Sequence, residues 1–416
     1  MRRIWPLTVR GTGAVVLAIG CLAAANEVGV EELLYFGVLL IAAVVAALIS
    51  LYLARHSEQV VRTVRPEVAA VGDTARVSMQ VTVRSSLPTA PGTWTDRLPQ
   101  GLDGAARGEF PALRSGWRAG EQSVTFHYEL TGTRRGTHSL GPLSVRTTDP
   151  FGLARRQSTL GRATTVSVAP ALIDLPPLIE YPGDAGGALH AVTSQLGQGA
   201  DNLIARHYVP GDSMRRIHWR ASAHRDALMV RQEEQESTPE ATVVLDLGVR
   251  RWAPAAMQAP GADPAFERAV SLCVSAVARL VTDGYAVEVI DSGGTPLTDQ
   301  IDAGDTSEVD EFVVHCATLT ARRDDRLAQL APMFTGGSAG PVVLIVGRLD
   351  ADDVTMLAPL AHHSALPVLL AVMPAPGALE QAESFGWHTG AVGGDDLNAV
   401  GEAWAAAVAR GATHVW

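Results

Sequence analysis

The chain has 416 residues, and its 44 acidic and 33 basic side chains give a formal net charge of −11. This acidic balance disfavours nucleic-acid binding, which needs a basic face opposite the phosphates. Lysine is absent, so every basic side chain apart from the histidines is arginine. That absence excludes a Walker A nucleotide loop, a protein kinase, a Schiff-base enzyme and a serine–lysine dyad, because each depends on a lysine amine.

Two apolar segments at the start of the chain predict a transmembrane hairpin over residues 1–56. Residues 33–54 carry no charge and are long enough to cross a bilayer core as a helix. The segment 11–26 is shorter and spans with help from the residues before it. Two alternatives stay open for this first segment, a signal peptide and a lipobox ending at Cys21.

The charges that flank these segments predict their orientation. Arginines lie before the first segment and after the second, at Arg2, Arg3, Arg10, Arg55, Arg62 and Arg65. The connecting loop carries Glu27, Glu31 and Glu32 and no arginine. By the positive-inside rule, both flanks face the cytoplasm. We therefore predict a multi-pass protein of the cell membrane with cytoplasmic soluble domains.

Residues 57–170 predict an antiparallel β-sandwich. Alternation puts one set of side chains, Val77, Met79, Val81 and Val83, on a single face of a strand. A second strand does the same with Val124, Phe126, Tyr128 and Leu130. Turns rich in Pro, Gly and Asp separate such segments, and Asp149–Gly152 is one of them. Each strand should thus bury one face in a core.

Residues 240–416 predict an α/β domain with a parallel sheet of the Rossmann-like kind. Short apolar runs near residues 241, 286, 341 and 367 alternate with helical patterns, which include Pro264–Asp283 and most of Glu308–Leu330. Uninterrupted apolar strands alternating with helices are typical of parallel sheets covered on both faces. Residues 171–239 then form a linker and a basic segment between the two soluble domains.

The basic segment 208–236 holds the candidate functional residues. Pro210-Gly211 predicts a turn, and Asp212 is a good N-cap for a helix that starts at Ser213. Its buried face would include Ile217, and Trp219 would serve as a core or interface anchor. The candidates for binding a partner or for latching the soluble domains together are Tyr208, Gly211, Asp212, Arg215, Arg216, Ile217, His218, Trp219, Arg220, Ser222 and Glu236.

These arginines allow two interpretations. They can contact an acidic partner or a phosphate, or they can pair internally with the glutamates near residue 236, and we favour the internal pairing. A third hypothesis is a hydrolase built from Asp212, His218 and Ser222. It is disfavoured because Ser222 has no GxSxG setting. We predict no catalytic residue.

The motif in this segment resembles the signature of the family called domain of unknown function 58 (DUF 58). It runs Tyr208-x-x-Gly211-Asp212-x-x-Arg215-x-Ile217-His218-Trp219-x-x-Ser222-Ala223, followed by Leu228, Val230 and Glu236. The paired N-terminal helices, the element Gly141–Leu153 and an α/β domain like von Willebrand factor type A extend the resemblance over nearly the whole chain.

The resemblance implies a non-enzymatic, membrane-anchored scaffold or adaptor. Members of the family are commonly encoded beside MoxR-type AAA ATPases and membrane transglutaminase-like proteins. Both are therefore the expected partners, in the assembly or maturation of envelope or other protein complexes. ATP hydrolysis would come from the ATPase, since this chain has no lysine for it.

A von Willebrand type A domain usually binds Mg²⁺ through a DxSxS motif after its first strand, because hard cations prefer oxygen ligands. The matching residues here, Asp246 to Arg250, keep the aspartate, lack both serines and add an arginine. We expect a degenerate site without a cofactor, and Asp246 is the one weak candidate for a metal ligand. We interpret the later acids as turn formers: Asp291, Asp350, Asp352 and Asp353. A metal-dependent, adhesion-like receptor stays open as an alternative.

Overall fold

The structure is a computed structural model that describes residues 5–53, 56–85, 91–112, 122–178, 203–207, 217, 219–225, 227–233, 238–334, 339–394 and 398–411. The chain divides into two units, Met1–Ala169 and Pro170–Trp416. The two units have separate hydrophobic cores.

The first unit begins with two long apolar helices, α1 (Val9–Val28) and α2 (Glu31–Leu53). Thr8 caps α1 by accepting a hydrogen bond from the Gly11 N–H, and Gly29 ends the helix with a φ of 72°. Both helices are long and apolar enough to cross a membrane, and little of either apolar surface is buried in the chain. The predicted pair of apolar helices is thus present.

Strands make up the rest of the first unit. They are β1 (His56–Arg65), β2 (Val68–Ala70), β3 (Thr74–Ser85), β4 (Gly92–Asp96), β5 (Leu102–Gly104), β6 (Arg107–Phe110), β7 (Gln122–Gly132), β8 (Gly136–Leu140), β9 (Leu143–Thr148), β10 (Arg155–Leu160) and β11 (Thr164–Ala169). They form three sheets, ordered β1-β3-β7-β5, β10-β9-β4-β6 and β2-β11-β8. Neighbouring strands are antiparallel except β2 and β11, which run parallel.

The alternating strands bury the predicted faces. Val77, Met79 and Val81 on β3 are fully buried, and Phe126, Tyr128 and Leu130 on β7 lie in the same core. β3 pairs with β7 in antiparallel register, with Val77 opposite Tyr128. Because side chains alternate across a strand, this register points both apolar rows to one side of the sheet.

A buried ion pair crosses this core. Arg62 donates two hydrogen bonds of 2.9 Å to the Asp96 carboxylate, and both side chains are inaccessible to solvent. The Tyr128 hydroxyl donates to the same carboxylate at 2.7 Å, and burial together with Asp96 raises the pKa of Tyr128. The Asp96 carboxylate therefore joins β4 to Arg62 of β1 and to Tyr128 of β7. Arg62, one of the arginines counted for the orientation, is thus paired and buried.

The second unit alternates strands and helices. They are β12 (Leu203–His207), α3 (Trp219–Arg225), β13 (Met229–Glu233), β14 (Glu240–Leu245), α4 (Pro264–Thr282), β15 (Ala286–Asp291), α5 (Thr306–Cys316), α6 (Leu327–Met333), β16 (Ala339–Leu349), α7 (Ala351–His363), β17 (Ser364–Pro374), α8 (Ala378–Ser384), β18 (His388–Ala391) and α9 (Asn398–Gly411). β12 and β13 pair as an antiparallel ribbon.

A parallel sheet, ordered β15-β14-β16-β17-β18, forms the centre of this unit. Successive side chains of β14 enter different cores: Val243 packs with α4, whereas Val244 packs with α6 and α7. Helices thus cover both faces of the sheet, as parallel sheets require. The chain leaves β14 for β15 on one side and later returns to β16 on the other. This reversal lies at the carboxyl ends of β14 and β16, the position at which open α/β sheets usually bind ligands.

The start of the predicted linker packs against this α/β domain. Leu175 and Leu178 are buried in its core. The Trp404 indole N–H donates to the Pro176 carbonyl at 2.9 Å, and the Leu178 N–H donates to the Asp283 carboxylate. Residues 170–178 are therefore an integral part of the second unit.

Candidate functional site at the carboxyl edge of the parallel sheet

Charged side chains gather where β14 and β15 end. Asp246 directly follows β14, and Asp291 is the last residue of β15. The strand-order reversal between β14 and β16 lies at the same edge of the sheet, and open α/β sheets bind their ligands beside such a reversal. The sheet topology therefore makes this edge the candidate functional site.

Asp246 is fully buried at the carboxyl end of β14. Its Oδ1 accepts hydrogen bonds from the Gly248 N–H at 3.0 Å and the Ser292 hydroxyl at 2.9 Å. Its Oδ2 has no hydrogen-bond donor among the described residues but lies 3.6 Å from Arg251 Nη1. Burial raises the pKa of Asp246, and the Arg251 charge only partly opposes this.

Arg251 is the buried cation of the site. It donates to Asp325 at 2.6 Å and, through two nitrogens, to Asp353 at 2.7 and 3.3 Å. Burial disfavours the charged guanidinium, but the bonds to Asp353 and Asp325 outweigh it and raise the pKa of Arg251. One guanidinium thus joins three acids that come from different parts of the domain.

Three further arginines lie at the solvent side of this cluster. Arg250 is 71% exposed in its side chain and approaches Asp325 at 3.4 Å. Arg322 donates to Asp291 at 2.7 Å, and Arg326 donates to Asp324 at 2.9 Å. We call Arg250, Arg322 and Arg326 the rim arginines.

Backbone contacts fix the loop that carries two of these arginines. Arg322 accepts from the Val249 N–H and donates its own N–H to Leu247. A side chain at Gly248 would crowd the Asp324 carbonyl, so glycine permits the close approach of the two segments. These contacts therefore fix the backbone of the surface from which the rim arginines project.

The residues at this edge do not suit the Mg²⁺ site of a von Willebrand type A domain. Gly248 and Arg250 stand where hydroxyl ligands are needed, and the Arg251 guanidinium already supplies the positive charge beside Asp246. Within the described ranges, no group of three or more His, Cys, Asp or Glu side chains is arranged to hold a metal. The interpretation of Asp353 as a turn former was wrong, because it is buried in the first turn of α7 and binds Arg251.

The sequence-predicted segment is only partly described. Seven of its candidates lie outside the described residues: Tyr208, Gly211, Asp212, Arg215, Arg216, His218 and Glu236. The backbone of Arg220 lies in α3. The latch hypothesis depends on these positions and the hydrolase hypothesis depends on two of them, Asp212 and His218, so both stay predictions.

The described part of the segment corrects the predicted helix. The prediction started the helix at Ser213, but α3 begins at Trp219, and Ile217 forms an isolated β-bridge. An extended residue cannot continue a helix, so the predicted helix was wrong around Ile217. Ile217 is nonetheless buried, as predicted.

The structure describes the surroundings of two other candidates, Trp219 and Ser222. Trp219 is 67% exposed, so it is no core anchor within this chain. The Ser222 hydroxyl accepts from the Met229 N–H at 2.8 Å, which ties α3 to β13. This bond assigns Ser222 a structural contact.

Sequence reasoning missed Arg251, Ser292, Asp325 and the rim arginine Arg322. A usable signal was present, because two arginines follow closely after Asp246 and the run from Arg322 to Arg326 mixes both charges. It did not identify the pairs, since Asp325 and Asp353 lie 74 and 102 residues from Arg251.

Comparison with known proteins finds a family match for part of the chain that includes the signature. Residues 204–277 match the family described as "Protein of unknown function DUF58". That match runs from the β12–β13 ribbon through β14 into α4. The chain is also 25% identical over 314 residues, 74% of each chain, to "Uncharacterized protein YeaD" of Bacillus subtilis (strain 168). These matches support the DUF 58 resemblance over the signature segment and part of the α/β domain.

Proposed function

We propose that the protein is a non-enzymatic, membrane-anchored scaffold or adaptor whose α/β domain, like von Willebrand factor type A, binds another protein at its carboxyl edge. The observation that carries the proposal is the Arg251 guanidinium bound to Asp325 and Asp353 beside Asp246. At the carboxyl edge, where other α/β domains bind a ligand or metal, this chain has an internal charge network.

Such a network favours a rigid binding surface over turnover. Arginine keeps its proton at physiological pH, so Arg251 cannot act as a base or nucleophile. Its hydrogen bonds hold Asp325 ionised, and the pKa of Asp325 is lowered. Paired, hydrogen-bonded charges of this kind fix geometry.

The rim arginines supply the contact chemistry. Each guanidinium pairs with one aspartate, while about half or more of its side chain remains exposed. Guanidinium groups bind carboxylates in a directional, bidentate way, so an acidic protein surface fits this edge. The partner that we propose is a MoxR-type AAA ATPase, and a membrane transglutaminase-like protein is a further component of the complex.

Membrane anchoring would place this surface where the ATPase acts. We propose that α1 and α2 both cross the cell membrane and that the soluble domains lie in the cytoplasm. This orientation follows from the arginines that flank the hairpin and from the glutamates near its turn, where Glu27 lies near the end of α1 and Glu31 and Glu32 begin α2.

The direct test is binding of the full chain, in lipid nanodiscs, to the purified MoxR-type ATPase of the same organism. A double charge reversal, Arg250→Glu with Arg322→Glu, should weaken binding at least tenfold. Arg76→Glu is the control, because Arg76 of the first unit is as exposed as Arg250 and is likewise paired with an acidic side chain. Unchanged affinity of the double variant would refute the rim as the binding surface. Loss of binding on chelation of divalent metals would instead favour the receptor alternative.

A further inference from the structure

The loop between β9 and β10, residues Asp149–Ala154, docks against the start of α1. The Thr8 N–H donates to the Leu153 carbonyl at 3.0 Å, and the Thr8 hydroxyl donates to the Gly152 carbonyl at 2.6 Å. A methyl group at Gly11 would collide with the Leu153 carbonyl, so the helix and the loop are in backbone contact.

The same loop region docks against the end of α2. Ala154 is fully buried against Ala47 and Leu51. Arg156 donates to the Leu51 carbonyl at 2.7 Å, and its guanidinium lies 5.3 Å from the centre of the Tyr52 ring. The loop therefore lies beside the end of the hairpin where α1 begins and α2 ends.

The conformation of the loop is set by its own residues. The buried Asp149 carboxylate accepts from the Phe151 N–H at 2.8 Å and from the Ala154 N–H at 2.6 Å. Gly152 adopts a φ of 68°, which glycine takes without strain. Internal hydrogen bonds thus hold the turn in place, yet Phe151 is 71% exposed.

Other side chains at this end of the hairpin match a membrane interface. Trp5 and Tyr52 are both more than half exposed. Tryptophan and tyrosine concentrate at the headgroup level of membrane proteins, where their rings contact acyl chains and their polar atoms contact water. Arg10 and Arg155 lie at the same end and carry the charge that anionic headgroups attract.

We propose that the Asp149–Ala154 loop is a membrane-contact element that inserts Phe151 into the headgroup region of the leaflet on its side of the bilayer. The inference rests on the proposed membrane-spanning role of α1 and α2. Lipid is the occupant because the exposed Phe151 side chain lies in a loop that packs against these two apolar helices. The loop then fixes the depth of the first unit at the membrane surface.

The test uses the full chain in vesicles of phosphatidylcholine and phosphatidylglycerol, with an environment-sensitive fluorophore on single cysteines. One reporter carries Phe151→Cys with Cys21→Ala, and a control carries Leu172→Cys with Cys21→Ala. Leu172 is an exposed apolar residue of the second unit, and Cys273 and Cys316 are buried. We expect nitroxide lipids to quench position 151 strongly and aqueous iodide to quench it several-fold less than position 172.

The native Cys21 in α1 reports on spanning itself. Lipid quenching at Cys21 but not at position 151 would overturn the loop insertion and leave the membrane helices in place. Absence of lipid quenching at both would overturn the insertion and the anchoring together.

Alanine substitutions at two glycines of α1 test whether contact with this helix positions the side chain at residue 151. In the Phe151→Cys background, Gly11→Ala should displace the loop and reduce lipid quenching severalfold. Gly13→Ala is the control, because a methyl group there meets nothing within 4 Å. Equal quenching in both variants would show that the helix contact does not seat the loop.

Discussion

Arg251 meets two buried carboxylates, Asp246 and Asp353, and its removal would leave them without a cation. Breaking a buried ion pair on one side costs about 3–5 kcal/mol. We expect Arg251→Met to lower the free energy of unfolding by that order, measured by denaturant titration. Arg250→Met is the control, and exposed pairs of its kind contribute at most about 1 kcal/mol. Equal losses in the two variants would contradict the assigned role of Arg251.

The Arg251→Met variant should also respond to pH. Burial already raises the pKa of Asp246, and loss of the neighbouring guanidinium would raise it further. A carboxyl whose folded pKa exceeds its unfolded value destabilises the fold at high pH, and this effect disappears as protons bind. The stability gap between wild type and variant should therefore be smaller at pH 5 than at pH 8. A difference in stability that increases on acidification would contradict this prediction.

The stability that Asp325 contributes has the opposite pH dependence. Hydrogen bonds from Arg251 outweigh partial burial and lower its pKa, so its ionised form stabilises the fold. That contribution is present above the ordinary Asp pKa of about 3.9 and is lost as pH falls through the lowered folded value. Asp325→Asn should therefore lose less stability than wild type between about pH 5 and pH 3. Thermal melts across that range measure the difference, and parallel curves would refute it.

At the scale of elements, β18 packs closely against α9. A methyl group at Gly390 would meet the Ala403 carbonyl, a backbone atom that cannot rotate away. Overpacking of this kind costs about 1–3 kcal/mol, so Gly390→Ala should lower the melting temperature. Gly393→Ala is matched in chemistry and meets nothing within 4 Å. Similar melting temperatures for the two variants would argue against the close approach.

Elements with strong local patterns were predictable. The alternation in β3 and β7 predicted which side chains are buried, and Asp263 caps α4 at the predicted start of the helix. The predicted long helix over Glu308–Leu330 instead breaks into α5 and α6, because the charged run between them pairs at the sheet edge. Long-range contacts override local helical preference in that run.

The candidate site was predictable only in part. Asp246 could be found because it directly follows an apolar strand. Its partner Ser292 is 46 residues away, and the acids that bind Arg251 are more distant still. Such pairs form only when the sheet brings strand ends together, and a single sequence contains no local periodicity that marks them. The same holds for the buried Arg62–Asp96 pair.

For the whole molecule, the proposed orientation makes a definite prediction. Reporter fusions at the C-terminus should be active as cytoplasmic reporters and inactive as exported ones. Since Arg62 is buried, charge reversal of Arg10 together with Arg65 should weaken this orientation more than Arg62→Met does. An exported C-terminus in the unmodified chain would refute the cytoplasmic placement of the soluble domains.

The docking of residues 149–154 on both helices also has a mechanical consequence. Thr8 and Leu51 each bond to the β9–β10 region, so the strands of the first unit are linked to α1 and α2 by more than the chain itself. A force applied to those strands would be transmitted to both helices rather than to one of them. In the proposed membrane arrangement, tilting of α1 and α2 in the bilayer should therefore be coupled to rotation of the attached strands.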